Sequence, residues 1–173
     1  MRCHAIRSVL LSVFAIAAAA ASAPSVADSD NTARWATVVG IMQAGNVVGS
    51  GTGSVQGGGQ PWSTLGGNAS VNLRNGRIDF DVRGLVLAGG NSIGTPGAIT
   101  EVKGTLVCDT NGSAGGGNSV LVDTPLVPLD EEGDARFHGN VGALPAVCTS
   151  ETDIAFLIRI GAGRWIANGA VLR

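Results

Sequence analysis

The chain has 173 residues, of which 45% are apolar and only 14% charged, with 27 glycines and a formal net charge of −2. A single lysine, Lys103, and a mild acidic excess leave no basic stripe for nucleic acid and no polybasic patch for anionic lipid. Two histidines, three cysteines and no tyrosine leave little for acid–base, nucleophilic or metal chemistry, so most enzyme classes lose support.

Arg2, His4 and Arg7 form a cationic start, and an apolar stretch runs from Val9 to Ala20. Ser25-Val26-Ala27 then supplies the small-x-small pattern of a signal-peptidase site. A cut after Ala23 would place Pro24 directly behind the scissile bond, which is poor substrate geometry. Cleavage is therefore expected after Ala27, leaving residues 28–173 as one secreted β domain. The apolar stretch is shorter than the ~20 residues a spanning helix needs, so no stable membrane insertion is expected after cleavage. Cys3 leaves with the signal. The signal holds two of the eleven basic residues and none of the thirteen acidic ones, so the remainder has net charge −4. The expected location is outside the cell, in the periplasm or in the envelope.

Past the signal, short β patterns alternate with Gly/Asn/Ser/Pro clusters, and no amphipathic helix is evident. The first strands are read over Ala36–Met42 and Asn46–Thr52. Gly49-Ser50-Gly51-Thr52-Gly53 is not a dinucleotide fingerprint, because its third glycine falls one place early and no helical pattern follows. Trp62 follows Gln60-Pro61 in the glycine-rich stretch Gly57–Gly67 and marks a candidate binding loop. Either it anchors a partner or a sugar ring, or it folds down to cap the core, and the large apolar area of a Trp favours the second.

A hairpin is expected next. Ala69, Val71 and Leu73 alternate with polar residues, Asn75-Gly76 suits a two-residue type I′ turn, and Ile78, Phe80 and Val82 resume the alternation. That turn pairs Leu73 with Ile78, Val71 with Phe80 and Ala69 with Val82. Asp79 and Asp81 then share the polar face. Paired carboxylates can hydrolyse glycosides, but Arg74, Arg77 and Arg83 stand nearby, and exposed ion pairs are the favoured outcome. The layout of this hairpin, ending in Val82-Arg83-Gly84-Leu85, is similar to that of secreted CHRD-type β domains. Their H-x-H-G segment and closing V-H-T…R-G stretch are absent, so the resemblance implies no functional residue.

Further strands are read over Thr100–Cys108, Ser119–Asp123, Ala135–Val141, Ile154–Ile160 and Trp165–Leu172. Asp109-Thr110-Asn111-Gly112-Ser113 resembles only the opening of a calcium loop, and Asp130–Asp134 reads as a solvated acidic turn. His138 is expected on an outward strand face, since no G-x-S-x-G nucleophile setting occurs. Ile154–Ile160, apolar on both faces, is expected as a central strand. Gly-Gly-Asn recurs at residues 66–68, 89–91 and 116–118 with unequal spacing, which suggests shared loop chemistry leading into a strand rather than a solenoid. Asn68 and Asn111 begin Asn-x-Ser acceptor patterns, meaningful only in a eukaryotic source.

Cys108 and Cys148 are the only cysteines past the signal, and in an exported chain an isolated pair is most simply a disulfide. The expectation is an all-β domain: a single antiparallel β-sandwich or flattened barrel of eight or nine short strands with that one disulfide. No catalytic, cofactor or metal site is assigned. The functional expectation is an exported non-catalytic binding or structural module with an unknown protein or glycan partner. The alternatives are an exported hydrolase using Asp79 and Asp81, and a surface subunit that self-associates through edge strands.

Overall fold

Alternating apolar residues build strands here, and the glycine clusters between them decide how far each strand runs. The computed structural model describes residues 31–114, 116–150 and 153–172. The expected signal and its cleavage site lie outside the described residues. The strands are β1 (Thr32–Gly40), β2 (Val47–Val48), β3 (Val55–Gln56), β4 (Trp62–Ser63), β5 (Gly66–Asn72), β6 (Arg77–Arg83) and β7 (Val86–Leu87). They continue as β8 (Glu101–Cys108), β9 (Val120–Asp123), β10 (Val127–Pro128), β11 (Ala135–Asn140), β12 (Ile154–Ile160) and β13 (Trp165–Leu172), with a short helix α1 (Ala146–Ser150) before β12.

The main antiparallel sheet has the order β10-β8-β12-β13-β1-β5-β6-β11, with β9 also on β8, and it curls into a half-barrel. The pairs β2–β3 and β4–β7 form two small sheets beside it. The flattened barrel is thus the form the all-β domain takes. Eight of the nine expected strands join the main sheet. The ninth, expected over Asn46–Thr52, shrinks to Val47–Val48, because the chain turns at Gly49 (φ +86°) and Gly51 (φ +54°). The two-residue strands β3, β4, β7 and β10 were not expected; they are too short to show periodicity.

The interior is built around aromatic rings. Phe156 lies 5.5 Å from Trp35 and 5.9 Å from Phe80, and Phe80 stacks on Phe137 at 6.1 Å. Such spacing lets ring edges meet ring faces while burying large apolar area. Gly104 makes room for this cluster: a β-carbon there would lie 2.8 Å from Phe156 and 2.9 Å from Phe80. β12 is central as expected, flanked by β8 and β13, with Phe156, Leu157 and Ile158 all fully buried.

Cys108, at the end of β8, and Cys148, in α1, form the disulfide, with Cα atoms 5.0 Å apart. Cys148 sits in a helix of five residues, too short to display the amphipathic repeat whose absence the sequence showed. Two glycine-rich loops also dock on each other. Ser50 N donates to Ser119 Oγ at 2.8 Å, and Thr52 N donates to Asn118 Oδ1 at 2.8 Å. The three Gly-Gly-Asn tripeptides play different parts, however. Residues 66–68 lie within β5, 89–91 enter a turn, and only 116–118 lead into a strand, β9.

The hairpin register differs from expectation by two residues. Val71 pairs with Ile78, Ala69 with Phe80 and Gly67 with Val82, leaving residues 73–76 as a four-residue loop. Gly76 has φ +71°, but Asn75 does not adopt the positive φ a type I′ turn requires. Instead the Asn72 side chain accepts from the N–H groups of Arg74 and Asn75, both at 3.1 Å, while Gly76 N donates to the Asn72 carbonyl at 2.9 Å. A two-residue slip keeps every side chain on its face, so alternation alone does not choose between the registers.

The two ends of the sheet path, β10 and β11, are joined by the loop 129–134 yet do not pair with each other. Sequence explains this open seam. Between the β9 and β10 registers, residues 124–126 oppose only 103 and 104 of β8, which is a bulge. Thr124 N and Leu129 N donate back toward β8, to the carbonyls of Gly104 and Thr100. Pro125 and Pro128 have no N–H to offer β11. Closure of the barrel is withheld there.

Candidate binding surface

Strand pairing sets the outer face of β5, β6 and β11 in three polar rows. Asn72, Arg77 and Asn140 form one, Ser70, Asp79 and His138 the next, and Asn68, Asp81 and Arg136 the third. Intervening positions such as Ala69, Phe80 and Val71 point into the core. The expected placement of Asp79 and Asp81 on one face is what the fold produces.

Asp79 is fully engaged. Its Oδ2 accepts from Arg77 Nε at 2.9 Å, and its Oδ1 accepts from Arg77 Nη2 at 3.0 Å and meets His138 Nδ1 at 3.1 Å. The bidentate hydrogen bonds that Arg77 donates to Asp79, together with the charge of that carboxylate, raise the Arg77 guanidinium above its ordinary value. Asp81 lies 3.9 Å from Arg83. Exposed hairpin ion pairs are therefore present, and His138 sits outward with 57% of its side chain exposed. The His138–Asp79 contact was not foreseen: it arises from β6–β11 pairing across 59 residues of sequence, which no local pattern announces.

Where this face meets the seam, a cleft of about 370 Å³ opens between Asp81, Arg83 and Arg136 on one side and Pro128, Asp130 and Asp134 on the other. Two of its carboxylates hold the loop that borders it. Asp134 Oδ1 accepts from Gly84 N at 2.8 Å, and Asp130 Oδ1 accepts from Asp134 N at 2.7 Å. The acidic segment is a turn braced by its own side chains, as Asp130–Asp134 suggested. Along the seam, no described strand pairs with the second edge of β11.

A second charged cluster lies on β8, β9 and β12. Asp123 accepts from Lys103 Nζ at 2.5 Å, Thr105 Oγ1 at 2.6 Å and Arg159 Nη1 at 3.1 Å. Burial pushes the Asp123 carboxyl up. The hydrogen bonds from Lys103 and Thr105 and the charges of Arg159 and Lys103 outweigh it, holding the group below its ordinary range. These contacts pin three strands together. The Asp109–Ser113 segment is a turn in which Asp109 Oδ2 accepts from Ala114 N at 3.1 Å. Among the described residues, no three His, Cys, Asp or Glu side chains converge as metal ligands.

Trp62 does not stand out on a loop. It lies in β4 opposite Leu87 and is only 4% exposed, so of the two readings of Trp62 the favoured one, a ring folded onto the core, is what the structure has, and the exposed anchor is not. Its backbone N–H donates to Ile41 O at 2.7 Å, and its large ring is drawn into the core. Asn68 and Asn111 are both exposed. No family model, no curated protein and no solved structure matches the chain.

Proposed function

We propose that the chain is an exported, non-catalytic binding module whose contacts run over the outer face of β5, β6 and β11 and into the seam cleft. The observation that carries this reading is the engagement of the exposed carboxylates. Asp79 is held by Arg77 and His138, and Asp130 and Asp134 by backbone N–H groups. A rigid face of paired charges and amides beside an open cleft suits recognition of a polar protein or glycan better than proton transfer. Export is supported by the signal pattern and by a fully buried disulfide, which suits an oxidising compartment.

A binding screen of residues 28–173 against envelope polysaccharides and exported proteins of the same source tests this reading. Binding that is lost in Arg136→Glu at unchanged melting temperature supports it. Conversion of a glycan or ester to products, abolished by Asp79→Asn and Asp81→Asn, overturns it in favour of an exported hydrolase using those carboxylates.

A second reading is a surface subunit that pairs with copies of itself. It is favoured by the unpaired edge of β11, since an open strand edge is a template for strand addition. Concentration-dependent dimerisation, suppressed by His138→Pro, is its expected sign, since the pairing phase set by Val141 N on Gly76 O turns the His138 N–H toward the open edge.

A further inference from the structure

Trp62 is withdrawn from the surface, yet its ring is not wholly enclosed by the core. It forms one wall of a pocket of about 250 Å³. Leu87 stands beside it, Ile99 and Pro96 come from the loop after β7, and Ile160 and Ile166 come from the β12–β13 hairpin. The remaining wall is the backbone of Gly58 and Gly59, which carry no side chain to fill the space. A pocket with a mostly apolar lining and a few placed polar groups is the usual form of a small-molecule site.

The polarity of the lining is one-sided. Arg164 is its only charged side chain, and no carboxylate of the lining faces it. Arg164 Nη1 donates to Gly57 O at 3.0 Å, which fixes the guanidinium at the pocket mouth and leaves its other N–H groups to serve a second acceptor. Among the described residues, no ion pair occupies Arg164. A shallower depression shares Ala98, Ile99 and Ile160 and carries Glu101. The apolar surface therefore runs from a cationic end at Arg164 toward an anionic end at Glu101.

We infer that this pocket binds an amphipathic carboxylate, with its head on Arg164 and its acyl chain between Trp62, Ile99, Ile160 and Ile166. The charge gradient selects the orientation, because a carboxylate beside Glu101 is repelled and one beside Arg164 forms a charge-assisted hydrogen bond. The space holds about eight water-sized groups at ~30 Å³ each, so it accepts a medium-length chain. This site lies on other elements than the polar face above and stands independently of the function proposed there.

The test is titration of residues 28–173 with decanoate, decanol and decyltrimethylammonium, each below its micelle concentration, followed by calorimetry and tryptophan fluorescence. Decanoate is expected to bind saturably and more tightly than the other two. Arg164→Gln weakens decanoate by about tenfold and leaves decanol unchanged. Gly58→Val is the control for location. A β-carbon at Gly58 lies 3.3 Å from Ile166 Cγ2, so the added methyl groups crowd the pocket beside Ile166 and weaken both ligands at unchanged melting temperature. Equal binding of the three probes, indifference to Arg164→Gln or to a folded Gly58→Val, or no saturable binding of decanoate overturns the inference.

Discussion

Gly76 and Gly142 meet backbone to backbone: a β-carbon on Gly76 would lie 1.8 Å from the Gly142 carbonyl oxygen. The contact is locked from both sides, since Val141 N donates to Gly76 O at 3.0 Å and Asn140 Nδ2 donates to Asn75 O at 2.7 Å. Gly76→Val is expected to lower stability by about 1–3 kcal/mol from the φ of +71° alone, and further by displacing residue 142. Gly142 also has positive φ, but a β-carbon there meets nothing within 4 Å, so Gly142→Ala should cost less. Equal denaturation midpoints for wild type and Gly76→Val would show that the loop tolerates a side chain.

The aromatic cluster gives a second prediction. Gly104→Val drives a branched side chain into Phe80 and Phe156, and overpacking of this kind costs about 1–3 kcal/mol. Combining it with Phe156→Leu vacates part of the space. The double variant is expected to be more stable than the sum of the two single losses allows. Strict additivity in urea denaturation contradicts the contact.

The disulfide gives a third. Closing a loop of 40 residues stabilises the fold by up to about 4 kcal/mol in the chain-entropy picture. Protein collected from the exported fraction should take up alkylating reagent at Cys108 and Cys148 only after reduction, as read by intact mass. Labelling of both thiols without reduction would refute the pairing.

Acid stability gives a fourth. Asp123 has a folded-state pKa below its unfolded value, so its contribution is fully present above that unfolded value, about 3.8. The contribution is lost as pH falls from there through the lower folded value. Asp123→Asn should be less stable than wild type at neutral pH, and the gap should narrow on acidification through this window. A gap that is independent of pH across it rules out the charged cluster as the cause.

Much of the sheet was legible because alternation survives in sequence: β1, β5, β6, β8, β9, β11, β12 and β13 each fall on a segment where apolar residues recur. The disulfide was legible from the cysteine count and the pattern of an export signal. The hairpin register was not, because Asn75-Gly76 satisfies a tight-turn pattern while Asn72 offers a competing side-chain cap. The size of its ring favoured burial for Trp62, whereas the residues it meets, Leu87 and Ile166, are distant in sequence and were not legible. The polar face was half visible: Asp79 and Arg77 are neighbours on one strand, whereas His138 reaches them only through the fold.

The strand order has a consequence for when the sheet can be completed. β1, the first of the described strands, sits between β5 and the last of them, β13. Its pairing with β13 sets Trp35 against Leu172, and contacts so far apart in sequence form late because a long loop must close first. Until β13 docks, β1 keeps an open edge, and the halves β10-β8-β12-β13 and β1-β5-β6-β11 stay unjoined.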